Sequence, residues 1–317
     1  MAAHHKTKQY LLALAKVLVL VITFGYIFYR LRNNPDLDLS EFVNGIFDKG
    51  VSVSYFLLIF LLLATLNWVF EILKWKNLAS TIHKIDFKTA LKQSLASLTI
   101  SLATPNRIGE YGAKALFFER GNRKKVMLLN FYSNLTQLSV TVLFGLIGIS
   151  YFLLNYAVSY SYAALIFIAI GLLFIVVFGY IFKEKELLLK GFSIANIFRF
   201  FKKLPNSLKL KVFTFSIFRY LIFSCTFFGV LLFFGAEVSF LTAMALIFAM
   251  YFLVSTVPTI FIFDVVVRGG VAVWLFSFAG ISDLMVLSTV LVMWILNFVL
   301  PSIIGSYFVI AYQPVTQ

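Results

Sequence analysis

Apolar runs of about 20 residues, each long enough to cross the hydrocarbon core of a bilayer, alternate along this chain with short polar stretches. They fall at 10–29, 54–73, 127–153, 163–182, 212–234 and 284–312. The first carries Lys16 near one end, where a long side chain can snorkel to the interface. In the second, Asn67 and Glu71 are four apart and share one helical face. Two further apolar stretches break the pattern. Residues 93–118 are interrupted by Thr104-Pro105-Asn106-Arg107-Ile108-Gly109-Glu110-Tyr111-Gly112-Ala113-Lys114. Residues 236–283 are interrupted at Pro258 and again around Asp264, Arg268, Gly269 and Gly270.

The flanks of these two stretches set the topology. Lys74, Lys76, Lys84, Lys88 and Lys92 precede residues 93–118, and Arg120, Arg123, Lys124 and Lys125 follow them. Short basic loops stay on the cytoplasmic side, so a single crossing would strand one of them outside. The stretch is too short for two crossings, each of which needs about 20 residues. The pattern predicts a re-entrant hairpin with residues 104–112 as its broken tip. Residues 236–283 carry Glu237 and Asp283 at their ends and no basic residue there, which predicts a second hairpin entering from the opposite face. On this reading 19 of the 27 Lys and Arg are cytoplasmic, as are both termini. The order span, span, hairpin, span then occurs twice, at about 10–153 and 163–312, with the second copy inverted. Inverted repeats with broken helices are the pattern of transporters whose sites lie near the midplane. The expected fold is all-α and polytopic: one integral membrane domain over 1–317, with about six full spans and two re-entrant hairpins.

Composition agrees. The chain is 61% hydrophobic and 13% charged, with mean hydropathy +0.95, whereas soluble domains are nearer half apolar and a quarter charged. The net charge of +14 would suggest nucleic acid in a soluble protein. Here the cations flank apolar spans, which is the positive-inside pattern, and no nucleic-acid partner is expected. Such loops can instead attract anionic lipid headgroups, and residues 183–204 have the Phe and Lys/Arg content of an interfacial amphipathic helix. Cys225 is the sole cysteine, so no intramolecular disulfide forms. The short basic N-terminus runs into a span without a convincing small-residue cleavage site, and so reads as a first transmembrane helix. His4, His5 and His83 are not spaced as metal ligands, and no cofactor is expected. No HExxH, GxSxG or Walker motif occurs, so the reading is of a protein that is not an enzyme and has no catalytic residues.

The candidate chemistry lies in the two interrupted stretches. Ions inside a membrane are costly and are by default functional candidates. Arg107 and Glu110 are three apart and can pair; alternatively the Arg107 guanidinium presents its fork of donors to a lipid phosphate. Lys114 lies one turn past Glu110 and can pair with it or snorkel. Asp264 and Arg268 repeat the theme at i, i+4. If the hairpins meet, these charges converge on one headgroup cavity. The substrate-binding candidates are therefore Arg107, Glu110, Lys114, Asp264 and Arg268. The hairpin breakers are Pro105, Gly109, Gly112, Pro258, Gly269 and Gly270. Asn130, Asn134, Gln137 and Asn297 read as hydrogen-bonding glue between helices, Glu71 as facing a basic loop, and Arg219 as snorkelling.

Residues Thr104-Pro105-Asn106-Arg107-Ile108-Gly109-Glu110 resemble the TPGRxGE motif of the lysylphosphatidylglycerol synthase transmembrane region, or flippase-like domain, family. The stretch from Pro258 to Gly270 is similar to its second, proline-led motif, with Arg268-Gly269-Gly270 in place of the commoner form ending in Arg-Glu. The resemblance covers nearly the whole chain. It implies a bacterial inner-membrane protein that translocates phospholipid or a lipid-linked headgroup. In full-length synthases a separate soluble domain performs aminoacyl transfer; none follows the last span before Gln317, so a stand-alone membrane domain is expected. The alternatives are a membrane subunit that works with a soluble synthase or transferase, or a membrane-embedded enzyme acting on lipid.

Overall fold

The computed structural model describes residues 51–102, 104, 108–157, 180, 182–186, 193–257 and 261–312. The helices are α1 Val51–Ala79, α2 Phe87–Ser101, α3 Gly109–Leu116, α4 Arg123–Asn155, α5 Ile194–Lys203, α6 Asn206–Phe233, α7 Phe240–Thr256, α8 Phe261–Ser277, α9 Asp283–Trp294 and α10 Leu300–Ile310. A 3-10 turn, Arg120–Asn122, leads into α4, and a π turn, Ile295–Val299, joins α9 to α10. Four helical stretches are long and apolar enough to cross a membrane: Val53–Ala79, Arg120–Asn155, Asn206–Phe233 and Asp283–Ile310. They correspond to four of the six expected spans. The other two, 10–29 and nearly all of 163–182, lie outside the described residues, as do Pro105, Arg107 and Pro258.

Three expectations need correction. The basic loop expected from Lys74 begins later, because α1 continues to Ala79 and Lys74 is fully buried. Its ammonium meets Glu71 one turn back at 3.2 Å, so the charge does not end the helix. The second is Gly269-Gly270, expected as a break, through which α8 runs continuously. A glycine inside a helix costs about 1 kcal/mol relative to Ala, too little to stop one that packs well. At Gly269 the missing side chain admits α9, since a Cβ there would stand 3.0 Å from Leu287. The third is Gly112, which sits within α3; the helix begins at Gly109.

Local signals explain most of the helix ends. Asp86, Ser193, Ser239 and Ser282 each accept a backbone N–H from the first turn of α2, α5, α7 and α9, satisfying donors that have no intrahelical partner. The Asp86 carboxyl is held below its usual range chiefly by its hydrogen bond to Thr89. Gly235 and Gly280 take left-handed backbone, φ 92° and 71°, after α6 and α8. There Ala236 N–H reaches back to Leu231 and Ile281 N–H to Phe276, the six-to-one bond of a Schellman cap. In the last span Pro301 has no N–H to give to the carbonyl of Asn297 four residues back. The helix widens into the π turn at that point, and the freed carbonyl accepts the Trp68 indole N–H at 3.1 Å.

Packing joins the two halves of the chain. Helices α1 and α6 run antiparallel, with Phe56 beside Phe233 at 5.2 Å and Phe70 beside Phe218 at 5.5 Å. Helix α4 runs antiparallel to α7, with Tyr151 and Thr242 hydroxyls 2.9 Å apart at one end. Helix α2 runs antiparallel to α10, where Thr99 donates to the Ser302 carbonyl at 3.0 Å. Glycines permit both of the last two approaches. A Cβ on Gly148 of α4 would collide with the Ala245 carbonyl of α7, and one on Gly305 of α10 with the Leu95 carbonyl of α2. Ala90 at the start of α2 shares a buried cluster with Ala115 and Phe118 at the end of α3. Gly235, before α7, similarly neighbours Met285, after α8.

Overpacking a tight contact costs roughly 1–3 kcal/mol. Gly305→Ala and Gly148→Ala should therefore each lower the thermal stability of the purified protein. Gly121→Ala, where a Cβ meets nothing within 4 Å, should leave it unchanged. Equal melting temperatures for all three would refute these contacts.

Candidate functional site

A cavity of about 500 Å³ opens among α1, α4, α6, α7, α8 and the π turn. That is within the 300–1,000 Å³ usual for small-ligand sites. Among the described residues its charged lining is Arg219 from α6 with Asp264 and Arg268 from α8. Asp264 and Arg268 are paired at 3.0 Å, as their spacing predicts, and both side chains stay partly exposed to the cavity. The Arg268 guanidinium also stands 5.7 Å over the Tyr251 ring.

Arg219 does not snorkel. It lies about 20 Å along α6 from Asn206 at 1.5 Å per residue, and it reaches across to α1 to meet Glu71 at 2.9 Å. Glu71 thus holds two cations, Arg219 and Lys74, and does not face a loop. Gln137 of α4 accepts from Lys74 at 3.4 Å and gives its own N–H to the Ser216 carbonyl, also at 3.4 Å. The carboxylate therefore ties α1 to α6, and the amide ties α4 to both. Arg219 Nε and the hydroxyls of Tyr220 and Tyr251, all buried, have no hydrogen-bond partner, and their residues line the cavity.

Glu110 and Lys114 lie elsewhere. Neither lines the cavity. Lys114 is buried and bonds Glu110 at 2.8 Å and Asn130 at 2.7 Å, with its ammonium 4.5 Å over the Trp75 ring. A carboxylate, an amide oxygen and an aromatic face satisfy the cation. This arrangement fixes α3 to α4, and Lys114 also acts electrostatically on Glu71 and Lys74. Of the expected breakers, Gly109 has a direct role. Its N–H donates to Thr104 Oγ1 at 2.8 Å, and a Cβ there would stand 2.9 Å from that side chain. The asparagines do join helices, Asn130 through Lys114 and Asn134 through the Tyr111 hydroxyl. Asn67 donates to Asn297 at 2.9 Å across the cavity's edge.

A charged cavity enclosed by apolar helices is what a membrane protein needs in order to handle a polar group within a bilayer. The model of the lysylphosphatidylglycerol synthase TM region matches residues 10–305, nearly the whole chain. The chain belongs to this family. No curated protein and no solved structure matches it. Family membership connects the chain to a membrane domain related to lipid handling. Among the described residues the cavity's cations are Arg219 of α6 and Arg268 of α8, and of these two the sequence pattern marks only Arg268 as a binding candidate.

The buried network has a stability consequence. Removing one partner of a buried ion pair leaves an uncompensated charge, at about 3–5 kcal/mol. Glu71→Gln should therefore sharply reduce the folded yield and melting temperature. Asp264→Asn, whose pair is partly exposed, should cost clearly less. Equal effects in a thermal-shift assay would refute the central role of Glu71.

Proposed function

We propose that this protein is a lipid translocator, moving a phospholipid or lipid-linked headgroup across the bacterial inner membrane through the charged cavity. The observation that carries the proposal is the cavity's wall: Arg219 and Arg268 reach it from two helices, beside hydroxyls of Tyr220 and Tyr251 that lack partners. Guanidinium groups present forked donors suited to phosphate oxygens. Charge balance supports an anionic group. Among the described residues of the network, Lys74, Lys114 and Arg219 face only Glu71 and Glu110, an excess of one positive charge. Asp264 offsets Arg268 and offers a carboxylate to an amine on the same headgroup.

In this reading α2–α3 and α7–α8 are the two re-entrant hairpins. Each pair returns to the end at which it began, since Ala90 and Ala115 share one buried cluster and Met285 stands beside Gly235. The halves form an inverted repeat about the antiparallel α1–α6 pair. Exchanging them turns the α2–α10 packing into the α7–α4 packing, glycine approach included. Both termini are cytoplasmic, and transport runs passively or on an ion gradient. Arg107, which lies in sequence between α2 and α3, belongs to the proposed headgroup path.

The test is translocation of fluorescent phospholipid in liposomes containing the purified protein. One charge-assisted hydrogen bond contributes roughly 1.5–3 kcal/mol. Arg268→Gln should therefore slow translocation about tenfold or more while the melting temperature changes little, and Arg107→Ala should abolish transport without loss of expression. Wild-type rates in both variants would remove these residues from the site. A wild-type protein inactive across several headgroups would favour a subunit that needs a soluble synthase or transferase.

A further inference from the structure

A second site lies outside the central cavity. Helix α5 has a cationic side, Arg199, Lys202 and Lys203, and an apolar side that includes Ile197, Phe198 and Phe201. Phe201 is clamped by Phe131 and Tyr132 of α4, at 5.9 and 5.0 Å, which fixes the helix against the basic end of that span. Its C-terminus is tied to α6: Lys209 Nζ donates to the Lys202 carbonyl at 3.2 Å and to Asn206 Oδ1 at 3.4 Å. Between the three helices lies a shallow groove of about 450 Å³, floored by Tyr132 and Phe201 and rimmed by Arg199, Lys202 and Lys209. Among the described residues none of these three cations has a carboxylate partner.

We infer that this groove is an interfacial binding site for the headgroup of an anionic phospholipid. Charge complementarity demands an anion, since three cations converge on the groove without a counter-charge. Position then selects a lipid over an acidic protein. Only Leu204 and Pro205 separate α5 from α6, the start of a candidate span, so α5 lies at the level where that span leaves the hydrocarbon. Phe198 and Leu210, 68% and 66% exposed, stand beside the cations. In water they would be an apolar liability; at the interface they meet acyl chains while the cations meet the phosphodiester. Each cation near an anionic surface contributes about 1 kcal/mol, close to a fivefold preference. The site does not depend on whether the central cavity transports.

Lipid retention tests this. The full-length protein is reconstituted in equimolar phosphatidylglycerol and phosphatidylcholine, and retained lipids are counted by native mass spectrometry. The wild type should keep phosphatidylglycerol preferentially. Replacing Arg199, Lys202 and Lys209 together with Gln should lower that preference at least about fivefold. Lys202→Arg with Lys209→Arg should preserve it, and the triple Gln change should lower it by the same factor in an Arg268→Gln background, which separates this site from the central cavity. Arg199→Gln alone, on an exposed residue, covers the case in which the triple variant does not fold. An unchanged lipid ratio in both Gln variants overturns the proposal. So does displacement of the bound lipid by inorganic phosphate, or a triple Gln change without effect in the Arg268→Gln background. A soluble acidic protein bound at the groove in place of lipid would overturn it as well.

Discussion

An ion in hydrocarbon must meet a counter-charge or cost several kcal/mol, and Glu71 is where this chain meets that demand most fully. One carboxylate receives Lys74 from its own helix and Arg219 from α6. The pairing therefore holds together the antiparallel α1 and α6. Gln137 adds α4 to the same point. Apolar packing surrounds this knot, but packing alone does not fix how far one smooth helix slides along another. A buried ion pair has little tolerance for sliding, because a shift of one turn would leave its charges unsatisfied. On this argument the network sets the register of the central helices, and the cavity inherits its shape from that register.

The second constraint is close approach. In a membrane, helices gain little from the hydrophobic effect on one another and rely on tight packing, which small residues permit. Gly148 and Gly305 allow α4 and α10 to meet α7 and α2 backbone to backbone. Helix α2 is gripped in this way by α10, and α7 by α4. The broken pairs are thus anchored by partners distant in sequence. Thr104 and Gly109 complete the first pair locally, through a hydrogen bond that spans the interruption.

Much of the architecture is legible in the sequence, because length and hydropathy decide where a helix can lie in a bilayer. Four spans, the interruptions that separate α2 from α3 and α7 from α8, and the Asp264–Arg268 pair all follow from local pattern. The central ion network does not. Glu71 and Arg219 are 148 positions apart in sequence, and nothing local to either names the other. Arg219 sits in an apolar run, where snorkelling and pairing read alike until the neighbouring helix is known. Lys74 reads as the first residue of a basic loop only while its bond to Glu71 is unseen. Tyr220 and Tyr251 carry no spacing signal; their importance comes from buried hydroxyls without partners on residues that line the cavity. Gly269-Gly270 shows the opposite error, a local breaker signal overruled by tertiary packing against α9.

The ions of α3 and those of the cavity have different roles. Lys114 and Glu110 are saturated by each other, Asn130 and Trp75, so they suit anchoring better than ligand capture. Arg219 and Arg268 face open space with donors to spare or a neighbouring carboxylate to share. A polar headgroup crossing the bilayer needs contacts that can be made and released, and a fully satisfied buried pair offers none. The partly exposed Asp264–Arg268 pair can open toward a zwitterion or phosphate, exchanging one ionic partner for another at little net cost. Arg219, held by Glu71 on one side, keeps a buried Nε without a partner. The exchangeable pair of the cavity, Asp264 and Arg268, is thus separate from Glu71 and Lys74, which set the register, and Arg219 belongs to both. That separation would let the protein bind a headgroup without dismantling the network that holds its helices together.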